Sequence, residues 1–198
     1  MTERPAALEG LVAEVRACRL CAHALPLGPR PVLRASATAR LCIIGQAPGT
    51  KVHETGIPWN DRSGERLRDW LALDRECFYD VSRIAIVPMG FCYPGRDAHG
   101  GDLPPRPECA PTWHARLLAL MPKIELMLLV GGYAQTHYIG ARRGGTMTET
   151  VAAWKDYAPK FFPLPHPSWR NTAWLKRNPW FAADLLPELR AKVHALVD

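Results

Sequence analysis

A chain of 198 residues with 47% hydrophobic content is about one domain's worth of sequence, with ample apolar material for a core. No apolar run approaches the roughly 20 residues that cross a bilayer, and the N-terminal MTERPAALEG lacks the basic-then-apolar layout of a secretory signal. A single cytosolic domain over residues 1–198 is therefore expected, monomeric and without a membrane partner; its net charge of +6 is compatible with a polyanionic one.

In chain order, CRLC first puts Cys18 and Cys21 at ligand spacing. RLCIIGQ (Arg40 to Gln46) predicts a strand that breaks into GQAPG. In that turn Gly45 and Gly49 allow a tight backbone, and the amides of Gln46 and Ala47 can approach a ligand or a water. SGERLRDWLAL (Ser63 to Leu73) predicts a helix, RIAIVPM (Arg83 to Met89) a second strand, and YPGRDAHGGDLPPRP (Tyr93 to Pro107) a long Gly/Pro-rich loop. PTWHARLLALM (Pro111 to Met121) predicts a helix, IELMLLVGG (Ile124 to Gly132) a strand, YAQTHYIG (Tyr133 to Gly140) a helix and KFFPLPHP (Lys160 to Pro167) a fourth strand. A last helix covers Trp180 to Val197, with Pro187 as a kink or restart. Apolar strands alternating with helices predict an α/β fold, a three-layer α/β/α sandwich around a roughly four-stranded parallel sheet. Ligands of such sheets bind outside the carboxyl ends of the strands, where GQAPG and HPSWRN both fall, so the two turns are expected to face one pocket.

Of the six cysteines, Cys42 and Cys77 sit in or beside apolar runs and read as inert core thiols. The other four form a C-x2-C, x70, C-x16-C pattern through Cys18, Cys21, Cys92 and Cys109. Four thiolates suit either zinc or an iron-sulfur cluster, and disulfides are disfavoured in a cytosolic protein. The long loop between Cys92 and Cys109 would be unsupported without some staple.

Taken together, GQAPG, TGIPWNDRSGERL, the cysteine framework and HPSWRN resemble the uracil-DNA glycosylase superfamily, closest to its iron-sulfur-containing family 4. The resemblance runs from about Cys18 to Asn171 in the same order. It implies a three-layer α/β/α fold and a 4Fe-4S cluster on Cys18, Cys21, Cys92 and Cys109, with zinc the alternative. The cluster would be structural, pinning the N-terminal segment and the long loop near a DNA-binding face. It also implies a monofunctional enzyme that hydrolyses the N-glycosidic bond of uracil or another deaminated base in single- or double-stranded DNA, leaving an abasic site. The alternative is a non-catalytic or altered-specificity nucleic-acid binder of the same fold.

Breaking an N-glycosidic bond puts positive charge on the sugar and negative charge on the base, so the site must stabilise an anion and position water. The resemblance assigns the hydrogen bond to the departing base to His166, whose neighbours Pro165 and Pro167 restrict its backbone. Base contacts fall to Gly45, Gln46, Ala47, Trp59 and Asn60, with Trp59 at the place of the family's stacking aromatic. Where relatives carry an acid in the first motif, this chain has Gln46, which orients a water without deprotonating it. Asp61 is the nearest acid in sequence, with a helix N-cap role as its alternative. The family's uracil-reading Asn is replaced by Pro88, which has no side-chain amide and no backbone donor. DNA contacts are expected from Ser168, Arg170, Asn171, Lys176 and Arg177, with Trp169 and Trp174 supplying a wedge and Arg142 and Arg143 further phosphate contacts.

Overall fold

The structure is a computed structural model that describes residues 3–197. Its four strands are β1 (Leu41–Ile44), β2 (Ile84–Ile86), β3 (Leu126–Val130) and β4 (Phe161–Leu164). Each is shorter than its apolar run, and the runs of β1 and β4 continue beyond the strand into the GQAPG and HPSWRN turns. All pair in parallel in the order β2-β1-β3-β4, with Cys42 opposite both Ala85 and Met127, and Leu128 opposite Phe162. Pro163 lacks an amide proton, and it is tolerated because β4 is an edge strand with one neighbour.

Burial on both faces explains the unbroken apolar character of the strands. Leu41 and Ile43 point into one core layer with Leu67, Trp70 and Leu189, whereas Cys42 and Ile44 point into the other with Leu11, Val15 and Leu117. The helices covering these layers are α1 (Glu3–Arg16), α2 (Thr50–Thr55), α3 (Arg62–Leu71), α4 (Arg75–Tyr79), α5 (Cys109–Ala119), α6 (Gly132–Ile139), α7 (Met147–Ala152), α8 (Thr172–Arg177) and α9 (Leu186–Val197).

The predicted helices recur with small shifts. α3 begins at Arg62 because the Asp61 carboxylate accepts the Gly64 amide at 2.9 Å. α5 begins at Cys109, so Pro111 falls in the first turn, where its missing amide proton costs nothing. The last helix divides into a π turn over Phe181–Leu185 and α9, with Pro187 in the first turn of the restart. α1 is additional to the predicted elements, although Leu8, Leu11 and Val15 stand at helical spacing; they are buried in the layer shared with α5. No helix among the described residues is long and apolar enough to cross a membrane.

The strand order reverses direction between β1 and β3. Their carboxyl ends therefore flank a crevice at this switch point.

Candidate active site

A cavity of about 430 Å³ fills that crevice. Both turns reach it: Gly45, Gln46 and Ala47 follow β1, and His166 follows β4. Trp59 and Asp61 close one side from the loop before α3, and Arg96 and Asp102 reach in from the Gly/Pro-rich loop.

Trp59 is held by sterics. Its φ of 56° is rare for a bulky residue and costs of order 1–3 kcal/mol. Its carbonyl lies over Gly64, where a Cβ would stand 1.7 Å from the oxygen, and accepts from Arg68 Nη1 at 3.3 Å. Its indole lies on Gly45, whose Cβ, if present, would be 2.7 Å from the ring. Gly45 was expected to serve a tight turn, but its φ is not in the left-handed region; what demands glycine here is the approach of the indole.

His166 faces this indole, with ring centroids 5.6 Å apart and a 35° tilt. Asn171 Nδ2 donates to the His166 carbonyl at 2.7 Å, and Arg66 Nη1 donates to the Ser168 carbonyl at 3.0 Å, so the turn is braced from both sides. Burial pushes the His166 pKa down, partly opposed by the negative charges of Asp61 and Asp102. The imidazole is accordingly neutral at pH 7 and carries one N–H to give.

Gln46 is tied down on its donor side, its Nε2 giving hydrogen bonds to the carbonyls of Leu103 at 3.0 Å and Asp102 at 3.4 Å. That leaves Oε1, an acceptor, as the side-chain atom suited to a ligand or water. Asp61 lines the cavity while one oxygen caps α3. Asn60 stays outside the wall because its Oδ1 accepts from Arg75 Nη2 at 3.2 Å. Pro88 lines the cavity as an apolar surface, and its carbonyl is taken by His114 Nε2 at 3.0 Å. Asp102 was missed by local reading: it is 56 residues from Gln46, and only loop packing brings it in.

The segment after His166 divides. Ser168, Trp169, Arg170 and Asn171 line the cavity mouth; Trp169 is 76% exposed, with the Arg170 guanidinium 5.6 Å over its ring. Trp174 is instead buried, its Nε1 donating to Thr148 Oγ1 at 2.7 Å, which removes it as a wedge. Lys176 and Arg177 end α8 outside the cavity, and Arg142 closes a 3-10 turn with Arg143 next to it, also outside.

Cys18, Cys21, Cys92 and Cys109 line one small second pocket, with Phe91 and Trp113 beside them. α1 delivers the first pair and α5 starts on Cys109; the two helices pack together, and Arg116 grips Glu14 through two bonds of 3.2 and 2.6 Å. Desolvation, with repulsion from neighbouring thiolates, pushes the Cys21 thiol up, Cys92 to about 11 and Cys109 to about 12. The Phe91 amide donates to Cys109 Sγ at 3.4 Å, and the Arg30 amide bonds Cys92. No disulfide joins the described cysteines, and no three His, Cys, Asp or Glu side chains among the described residues group closely enough to hold a metal ion. The chemistry of the donor set, four thiols lining one pocket with amide support at Cys92 and Cys109, is of the kind that suits a soft cationic centre, although the side chains as they stand are not drawn together around one.

Residues 34–190 match the family model described as the uracil DNA glycosylase superfamily. The match spans the whole sheet and both cavity turns, and begins after Cys18 and Cys21.

Proposed function

The chain belongs to the uracil DNA glycosylase superfamily, and on that premise we propose that it is a DNA repair glycosylase releasing uracil, or another deaminated base, from single- or double-stranded DNA. The observation that carries this reading is a neutral, backbone-braced His166 beside the indole of Trp59, ring centroids 5.6 Å apart, on the wall of a cavity of base size. A flipped base stacks on Trp59 while His166 donates to its oxygen as the C1′–N bond breaks and the electron pair leaves with the base. Water completes the sugar, leaving an abasic site. Among the described residues no lysine lines the cavity, so nothing there forms a Schiff base, and strand cleavage is not expected.

Specificity departs from the family pattern at Pro88. Its ring offers no hydrogen bond and His114 holds its carbonyl, so reading of the base edge passes to Gln46 Oε1 and the backbone of the first turn. This favours tolerance of hypoxanthine or xanthine beside uracil. It is also the observation behind a second reading, a base- or abasic-site binder without turnover. Oligonucleotides carrying each base, single- and double-stranded, followed by alkaline cleavage of abasic sites, decide between them. Release by the native protein and a fall of about 100-fold or more in His166→Ala with binding retained support the enzyme; no release from any substrate supports the binder.

The four clustered thiols are assigned a structural 4Fe-4S cluster, with zinc as the other four-thiolate occupant. Such a group would pin the segment after α1 to the start of α5 and take no part in the chemistry. Purified protein should carry iron with absorbance near about 400 nm, lost in Cys109→Ser; zinc without iron would replace the assignment.

A further inference from the structure

Resting on the glycosylase reading, we propose that Asp102 is the carboxylate that holds and deprotonates the attacking water, replacing the acid absent from the first motif. Among the described residues two carboxylates line the cavity, Asp61 and Asp102. Asp61 has one oxygen fixed by the α3 cap, where it accepts the Gly64 amide at 2.9 Å. Asp102 has no such obligation: its Oδ1 meets Arg96 Nε at a loose 3.6 Å, and its Oδ2 lies over the first turn, 3.5 Å from where a Cβ on Gly49 would stand. Half-exposed, it can return a proton to solvent.

The loop presenting Asp102 is built to hold it still. Arg96 and Asp102 form an antiparallel bridge, and the Leu103 amide donates to the Gly95 carbonyl at 2.9 Å. The Asp97 carboxylate takes the amides of His99 and Gly101, both at 2.8 Å. Gln46 then ties this hairpin to the end of β1 through the carbonyls of Asp102 and Leu103. The residue standing where relatives keep an acid thus holds in place the loop that carries one. Electrostatically the site is suited to the step, since the negative charges of Asp61 and Asp102 both act on His166 and favour a sugar cation in the cavity they line.

The step balances without a co-reactant. The C1′–N bond breaks with its electron pair on the base, water oxygen bonds C1′, one water proton passes to Asp102, and that proton reaches the released base through solvent.

Single-turnover release of uracil by Asp102→Asn tests this, alongside binding to DNA carrying a tetrahydrofuran abasic analogue. A rate reduced about 100-fold or more with analogue affinity unchanged is expected, as is partial rescue of Asp102→Ala by formate, a carboxylate small enough for the vacated space. An Asp102→Asn rate within about threefold of native, or an equal loss of rate and analogue binding with no formate rescue, overturns the role. Native protein that releases no base at all is a separate outcome, which removes the glycosylase reading and this role with it.

Discussion

Acidification should loosen this protein through His114, well before its carboxylates titrate. The imidazole is 2% exposed behind the cavity wall, between the Pro88 carbonyl at 3.0 Å and Tyr138 Oη at 2.6 Å. The carbonyl can only accept, so Nε2 carries the proton and Nδ1 accepts from the tyrosine hydroxyl. Desolvation, with the nearby His137 charge, lowers the His114 pKa from 6.5 to about 4, while burial holds the Tyr138 phenol well above its ordinary range. The unfolded chain therefore binds more protons than the folded one between these two values, and stability falls as pH drops through that window. Integrating the proton uptake gives a loss of about 2 kcal/mol from pH 7 to pH 5 and about 3 kcal/mol by pH 4. The slope from this histidine dies away only about one pH unit lower, once the folded imidazole is also protonated.

His166, also depressed, acts in the same direction. The carboxylates of Glu14, Glu108, Glu125 and Asp80, held below their ordinary values by hydrogen bonds, lose their contribution only as pH falls through and below the ordinary carboxylate range. The assay is urea unfolding at pH 7, 6 and 5 for the native protein and for His114→Gln, whose amide can still donate to Pro88 but does not titrate. The variant should lose about 2 kcal/mol less over this range. Equal pH slopes in the two proteins, or an NMR titration of His114 near 6.5, would refute the reasoning.

Three further outcomes are expected. Gly45→Ala drives a methyl to 2.7 Å from an indole whose carbonyl already rests on Gly64, so it should cost about 1–3 kcal/mol in urea unfolding and depress base release; native values for both would show that the indole is free to move. Asp61→Ala removes the α3 cap and should lower stability by about 1 kcal/mol, whereas Asp61→Asn, which can still cap, should not; equal losses would mean the carboxylate's charge matters more than its acceptor. Trp169→Ala should leave stability within about 0.5 kcal/mol of native while weakening binding to double-stranded more than single-stranded DNA, and a marked fall in melting temperature would place the indole in the core instead.

Much of the fold was legible because it is local. The strands announce themselves as apolar runs ended by Gly or Pro, and Asp61 before a helical pattern marks an N-cap, since these signals depend on near neighbours in sequence. The shared pocket of GQAPG and HPSWRN was legible too, because parallel strands put all their carboxyl ends on one rim. The rest depended on contacts between residues far apart in the chain, which no periodicity records. The sequence by itself determined the sheet, most of the helices and the two turns that meet over the crevice. Only the tertiary structure decided that Gln46 grips a loop 56 residues away, that Asp102 enters the cavity on that loop, and that Trp174 is core while Trp169 is surface. The same holds for His114, which occupies the Pro88 carbonyl, and for α1, which carries Cys18 and Cys21 to α5. In each case the deciding quantity is who buries whom, and that is set by the packed chain as a whole.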